Sequence, residues 1–360
     1  MRTLRYLRLK GFKSIRELDL ELRQINVLIG QNGAGKSNLI GFFRLLNALM
    51  EERLQTTVVS GGGANAFLHY GQKETPAIQA AMYFGRNGYL IELIPTEEDP
   101  LVFSKEEFFF KGDYGPVKRT VALGTKETRA LQAYKLDSGG IPGYVVPAIK
   151  RWKVYHFHDT SSSAPVKKIG DIHDNAFLRP SAENLAAFLY LLQEKHPRHY
   201  EMIRATIRRA FPLFGDFMLR PNPLNEETIR LEWKEKGADY RFGPHQLSDG
   251  TLRFMCLTTL LLQPMLPSTV LIDEPELGLH PTALSVLGGL IRNAASRTQL
   301  ILTTQSVTFL NEFEPEDIVT VDREDSASAF RRHSSDELAQ WLEDYTLAEI
   351  WEKNVIGGRP

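Results

Sequence analysis

Eight residues limit this chain's folding options more than any others: Gly30-Gln31-Asn32-Gly33-Ala34-Gly35-Lys36-Ser37 fits the pattern G-x-x-x-x-G-K-[ST]. Before it, Ile25-Asn26-Val27-Leu28-Ile29 reads as a buried strand; after it, Leu39, Phe42, Phe43, Leu46 and Met50 recur at a helical period. Strand, glycine loop and helix in that order belong to an α/β fold. The glycines let backbone N–H groups curl around an anion, and the helix N-terminus adds partial positive charge. The expected cradle comprises Gly30, Asn32, Gly33, Ala34, Gly35, Lys36, Ser37 and Asn38. Lys36 would reach the β- and γ-phosphates and the Ser37 hydroxyl would ligate Mg²⁺, so the loop implies a nucleoside triphosphate.

The 360 residues exceed one ordinary domain, which predicts one large composite domain or two smaller ones. Charge is balanced, 43 basic residues against 44 acidic, so no global field points to nucleic acid or membrane. The only cysteine, Cys256, excludes an internal disulfide and any multi-cysteine metal site, and fits a reduced, cytoplasmic location. No stretch reaches the ~18 apolar residues of a spanning helix, and the N-terminus lacks a signal-peptide core. The expectation is a cytoplasmic protein that does not enter a membrane.

Along the chain, Leu4 to Leu9 and Leu18 to Leu22 read as short strands joined at Gly11-Phe12-Lys13-Ser14. Ser60 to Ala64 reads as a flexible loop. Ala77 to Phe84 and Tyr89 to Ile94 flank Arg86-Asn87-Gly88, whose Asn-Gly pair predicts a hairpin turn. Further strands are expected near Phe108 to Phe110, Val117 to Leu123 and Trp152 to Tyr155. Ser181 is the expected cap of a helix carrying Leu185, Phe188, Leu189 and Leu192, followed by a second helix from Tyr200 to Phe211. Lys195 to Arg220 holds six Lys/Arg against two Asp/Glu; this is either a solvated face or a contact for the phosphates of DNA. Leu338, Trp341, Leu342 and Tyr345 form a helical stripe that reads as core.

Mg²⁺ beside a phosphate loop must be held from a second side, and an attacking water must lose a proton. Asp273 and Glu274, at the end of the apolar strand Ser268 to Ile272, supply both: Asp273 for the metal and Glu274 for the water. Gln246-Leu247-Ser248-Asp249-Gly250-Thr251 opens a long apolar helix. Ser248 there reads as an N-cap whose geometry also makes an anion site, completing a γ-phosphate pocket if a second subunit presents it.

In this order the motifs resemble the ATP-binding-cassette-type ATPases of the RecF and SMC group, an AAA family. They also resemble the ATPase part of overcoming-lysogenisation nucleases. Gly30 to Ser37 matches Walker A, Leu247 to Gly250 the signature motif, Val270 to Glu274 Walker B, and Glu276 to Pro281 the D-loop. Phe12-Lys13-Ser14 resembles the first-hairpin motif, whose basic residue Lys13 lies near the nucleotide in that group. The resemblance implies an α/β P-loop NTPase of ABC type, with a mixed central sheet, an antiparallel β lobe and an inserted helical lid. It divides the chain into an N-terminal lobe at 1–150, a lid at 151–262 ending in the signature, and a C-terminal lobe at 263–360. ATP and Mg²⁺ are the implied ligands. Each site would join the Walker residues of one copy to Ser248 and Gly250 of another, in a head-to-tail homodimer.

Three departures qualify that resemblance. Gln305, in Thr303-Thr304-Gln305-Ser306, stands at the switch position usually held by histidine, and an amide can donate a hydrogen bond but cannot be protonated. His156-Phe157-His158-Asp159 occupies the place of the Q-loop glutamine; as residues alone it is either polar surface or a metal site of His156, His158 and Asp159. The 211-residue interval from Ser37 to Ser248 carries no heptads, so a head without coiled-coil arms is expected. Only 39 residues follow Val321, too few for a toprim nuclease, and Asp322 to Asp325 reads as a solvated turn. The implied activity is ATP hydrolysis controlling a separately encoded nuclease or effector in DNA repair or antiphage defence. The rivals are a slow or non-hydrolysing nucleotide-gated switch and a transporter ATPase subunit.

Overall fold

Ile25–Ile29 is buried at all five positions because both faces of the sheet around it are covered. Even Asn26 is enclosed, its side-chain amide donating to the Arg23 carbonyl at 2.7 Å and the Leu300 carbonyl at 3.0 Å. The structure, a computed structural model, describes residues 3–97, 99–112 and 115–359. Around this strand lies a six-stranded mixed sheet ordered Ala327–Arg332, Ile318–Glu324, Ile25–Ile29, Gln299–Thr304, Thr269–Asp273, Trp152–Tyr155. All neighbouring pairs are parallel except the first, an antiparallel hairpin. The strands come from every third of the chain.

Successive side chains of these strands point to opposite faces, and each face has its own core. Val27, Ile29, Val270, Ile272, Leu300 and Leu302 pack beneath helices Leu185–Lys195, Asp249–Leu262 and Pro281–Ala295. Leu28, Val154, Leu271, Ile301 and Val319 pack beneath helices Lys36–Met50 and Ile141–Lys150 and the second sheet. Two-sided burial explains the near-continuous apolar runs of the sequence.

The second sheet is antiparallel, ordered Ile15–Glu21, Tyr6–Phe12, Ile78–Phe84, Asn87–Pro95, Leu101–Gly112, Gly115–Ala122. Its central hairpin turns at Gly85-Arg86, not at Asn87-Gly88: Phe84 pairs with Asn87, and Gly85 takes a φ of 68°. Gly88 lies inside the strand because the Phe109 ring covers it and leaves no room for a Cβ.

Helices Leu185–Lys195 and Pro197–Ala210 form, but Ser181 caps neither of them. Its hydroxyl donates to Glu183, and the left-handed Ala182 delays the helix to Leu185. The stretch 170–235 also contains two small antiparallel sheets, one pairing Phe214–Phe217 with Trp233–Glu235 and one built from Gly170–Asp171, Pro221–Asn222 and Asn225–Ile229.

The acidic stretch is likewise not a simple turn. Asp322 belongs to a strand, and its carboxylate accepts the Gly358 N–H at 2.8 Å; only Asp325 and Ser326, both with positive φ, make the turn. Of the stripe, Leu338 is buried and Leu342 and Tyr345 pack half-buried against the core, whereas Trp341 is 41% exposed.

Glu106 ties the antiparallel lobe together. Fully buried, it accepts the Tyr89 and Thr128 hydroxyls and the Arg129 N–H at 2.8 Å, at the start of helix Ala130–Leu136. Glu106→Ala strands those donors and is expected to lower stability by about 2–4 kcal/mol in urea denaturation, with Glu106→Gln costing less.

Candidate functional site

Parallel register brings the motifs together. Ile29 pairs with Thr304, Asp273 with Thr303, and Ile272 with Tyr155, so the strands stop nearly level. Gly30, Glu274, Gln305 and His156 therefore emerge along one edge of the sheet, where open α/β sheets hold their ligands.

The phosphate loop takes its shape from close backbone approach. Gly30, Gly33 and Gly35 all have positive φ. A Cβ on Gly30 would strike the Val321 carbonyl, and one on Gly35 would strike the hydroxyls of Ser14 and Ser328. Those two hydroxyls lie 2.7 Å apart and brace the loop from outside: Ser328 donates to the Ala34 carbonyl, and the Asn38 amide donates to Ser14 at 2.6 Å. Asn32 and Ser37 are exposed, whereas Ala34 and Lys36 are buried. The Lys36 ammonium donates to the carbonyls of Gly30 and, at 3.1 Å, Gln31. Burial lowers its pKa, opposed by the charges of Glu274, Asp273 and Glu276.

Lys13 has a φ of 48° and sits between the Phe12 and Phe67 rings, at 5.8 and 5.4 Å from their centres. Burial and the neighbouring Arg44 both push its pKa down.

Opposite the loop, Asp273 ends its strand and accepts the Thr303 hydroxyl through Oδ1. Glu274 has left-handed backbone, φ 42°, fixed by its N–H donating to Thr303 O and Oγ1, both at 3.1 Å. The Gln305 amide donates to Glu274 Oε1, so the residue at the switch position holds the candidate base directly. Ser37 and Asp273 offer hard oxygen donors of the kind Mg²⁺ takes.

His156 and His158 join this edge without making a metal centre. Arg44, on helix Lys36–Met50, donates to the His156 ring, and burial together with that cation pulls the imidazole down to about 4. His158 donates from Nε2 to the Asp273 carbonyl at 2.7 Å, while exposed Asp159 accepts from Ser161 at 2.7 Å. Among the described residues, no three His, Cys, Asp or Glu side chains could share a metal.

Ser248 caps helix Asp249–Leu262, its hydroxyl accepting the Thr251 N–H at 3.1 Å. It lines a shallow pocket with Gly250, Phe254, Gly278, Leu279 and His280 rather than with the phosphate loop. Gly250 packs on the Gly278 carbonyl so closely that a Cβ would not fit. Buried Arg253 then ties its own helix to two other segments: Nε donates to Phe157 O at 2.9 Å, Nη2 to His158 O at 3.3 Å, and Nη1 to Leu277 O.

Sequence reasoning missed Arg44, Thr303, Ser328 and Arg253. Arg253 did carry a signal, a charge inside an apolar helical run, whereas nothing in the sequence set Ser328 apart. In the basic stretch, Arg204 bonds Asp216 at 2.6 Å and also Glu201, and Arg208 donates to Gly215 O at 3.0 Å.

No helix among the described residues is long and apolar enough to cross a membrane. Residues 151–311 match a family model described as "AAA domain, putative AbiEii toxin, Type IV TA system", and residues 6–64 match a second, described as "AAA domain". No curated protein matches the chain. Among solved structures, an SMC head bound to the C-terminal winged-helix domain of ScpA superposes with a TM-score of 0.59 at 16% identity, covering 94% of this chain and 99% of that one. An SMC head with an extended coiled coil, bound to the C-terminal domain of ScpA derived from Pyrococcus furiosus, gives 0.53 at 16% identity, covering 96% and 99%. Its matched segments are thus similar to AAA-domain families, and its fold is that of the SMC head.

Proposed function

We propose that this chain binds ATP with Mg²⁺ at Gly30 to Asn38 and hydrolyses it to ADP and phosphate, two copies enclosing two nucleotides head to tail. The observation that carries the reading is the shared sheet edge, where Lys36, Asp273, Glu274 and Gln305 converge. Lys36, already presented to carbonyl oxygens, would exchange them for phosphate oxygens. Ser37 and Asp273 would hold Mg²⁺, which would supply charge neutralisation of the phosphates. Glu274 takes a proton from the water that attacks the γ-phosphorus as the bond to the bridging oxygen breaks. Gln305 keeps that carboxylate aimed.

Ser248 and Gly250 line a pocket that includes no residue of their own phosphate loop, and the reading completes each site with a second copy. Closure on ATP and opening after hydrolysis would make the pair a bistable element biased by the γ-phosphate. The SMC heads superposed above were solved with a bound ScpA domain, and a protein partner is proposed here by analogy. Its class is a separate nuclease or other effector acting on DNA, in repair or antiphage defence.

Purified protein should turn over ATP, and Glu274→Gln should lower kcat about 10²–10⁴-fold while retaining ATP and shifting to dimer in light scattering. Undetectable turnover by the unaltered protein would establish the non-hydrolysing switch instead. Composite sites give a sharper expectation. Lys36→Ala and Ser248→Arg should each be inactive alone, and mixing them should restore activity through one intact site per mixed dimer; no restoration would place each site within a single chain. Arg253→Lys should lower turnover roughly tenfold with ATP binding unchanged, because an ammonium cannot span three carbonyls as the guanidinium fork does.

A further inference from the structure

Glu276 is the third acid at this edge, and neither the phosphate chemistry nor the metal site uses it. It follows Pro275 in the turn leaving the strand Thr269–Asp273, a turn closed by Leu277 N donating to Glu274 O at 3.3 Å and Leu279 N to Glu276 O at 3.0 Å. Its Oε1 accepts the Thr304 hydroxyl at 2.6 Å and the Gln305 N–H at 3.0 Å. Its Oε2 is buried with no hydrogen-bond partner among the described residues. Burial raises its pKa, against the pull of both donors. A buried carboxylate oxygen left unpaired costs stability, and pinning a turn would not by itself require one.

What the carboxylate secures is the backbone of the residue whose side chain holds Glu274. We propose that Glu276 is a positioning residue for hydrolysis: by anchoring the Gln305 N–H it aims the Gln305 amide, and through that amide it aims Glu274. The relay runs from Glu276 Oε1 to the Gln305 backbone, along that side chain, and to Glu274 Oε1. Glu274 is thus held twice, its backbone by Thr303 and its carboxylate by Gln305, and the second hold depends on Glu276. The inference deepens the ATPase reading and rests on it.

The test is a double-mutant cycle with an exchange measurement that needs no turnover. Glu276→Ala should lower kcat about tenfold with ATP affinity changed less than about twofold, and Glu276→Gln, which keeps an acceptor oxygen, should recover most of the loss. In a Gln305→Ala background, Glu276→Ala should cost less than about twofold more, because the relay is already broken. In nucleotide-free protein, deuterium exchange at the Gln305 amide should accelerate in Glu276→Ala and remain slow in Glu276→Gln. Equal losses in both backgrounds, or no loss in the single variant, would overturn the positioning role while leaving the ATPase reading intact. Absence of turnover in the unaltered protein would overturn the ATPase reading and with it the role in hydrolysis; unchanged Gln305 exchange in Glu276→Ala would remove the anchor itself.

Discussion

The ladder of parallel hydrogen bonds joining Ile25–Ile29, Gln299–Thr304 and Thr269–Asp273 is the constraint on which the chemistry depends. Side chains in a sheet alternate, so a slip of one residue would send the apolar set of a strand to the wrong core and carry its terminal residue out of reach. Two-sided burial makes that slip costly, since each misplaced Leu or Ile forfeits about 1.5–3 kcal/mol. The cores therefore hold the register, and the register sets Thr303 beside Asp273 and Gln305 beside Glu274. The geometry of the candidate site is thus a by-product of the apolar packing below it.

The residues legible in the sequence are those whose chemistry is local. Gly30 to Ser37, Asp273-Glu274 and Ser248 declare themselves because loop, strand end and helix cap each need specific residue types within a few positions. The contacts that were not legible join residues far apart in the chain. Ser14 meets Ser328 across 314 positions, and Arg253 reaches Phe157 across 96. A serine has no periodicity to betray it, and its role appears only when two hairpins close on the phosphate loop. The misplaced turn at Asn87-Gly88 has a related cause, because a long-range contact, the Phe109 ring over Gly88, overrode a good local turn signal. Asp322 follows the same rule: its acidic neighbours suggested solvent, but its partner is the Gly358 N–H, 36 residues away.

Arg253 shows how one buried charge can make separate loops behave as a unit. A guanidinium removed from water must find acceptors, and this one finds carbonyls on both sides of the helix it belongs to. Those carbonyls lie in the segment after Trp152–Tyr155 and in the turn after Glu276, while the helix itself is capped by Ser248. Moving any one of the three segments alone would strand part of the fork, which costs more than moving them together. Gly250 against Gly278 removes the remaining slack, as there is no side chain between the two backbones to rearrange. His158, which donates to the Asp273 carbonyl, is tied through Arg253 to the helix that Ser248 caps. The surface around Ser248 and the sheet edge that carries Asp273 are in this way joined through a single buried side chain.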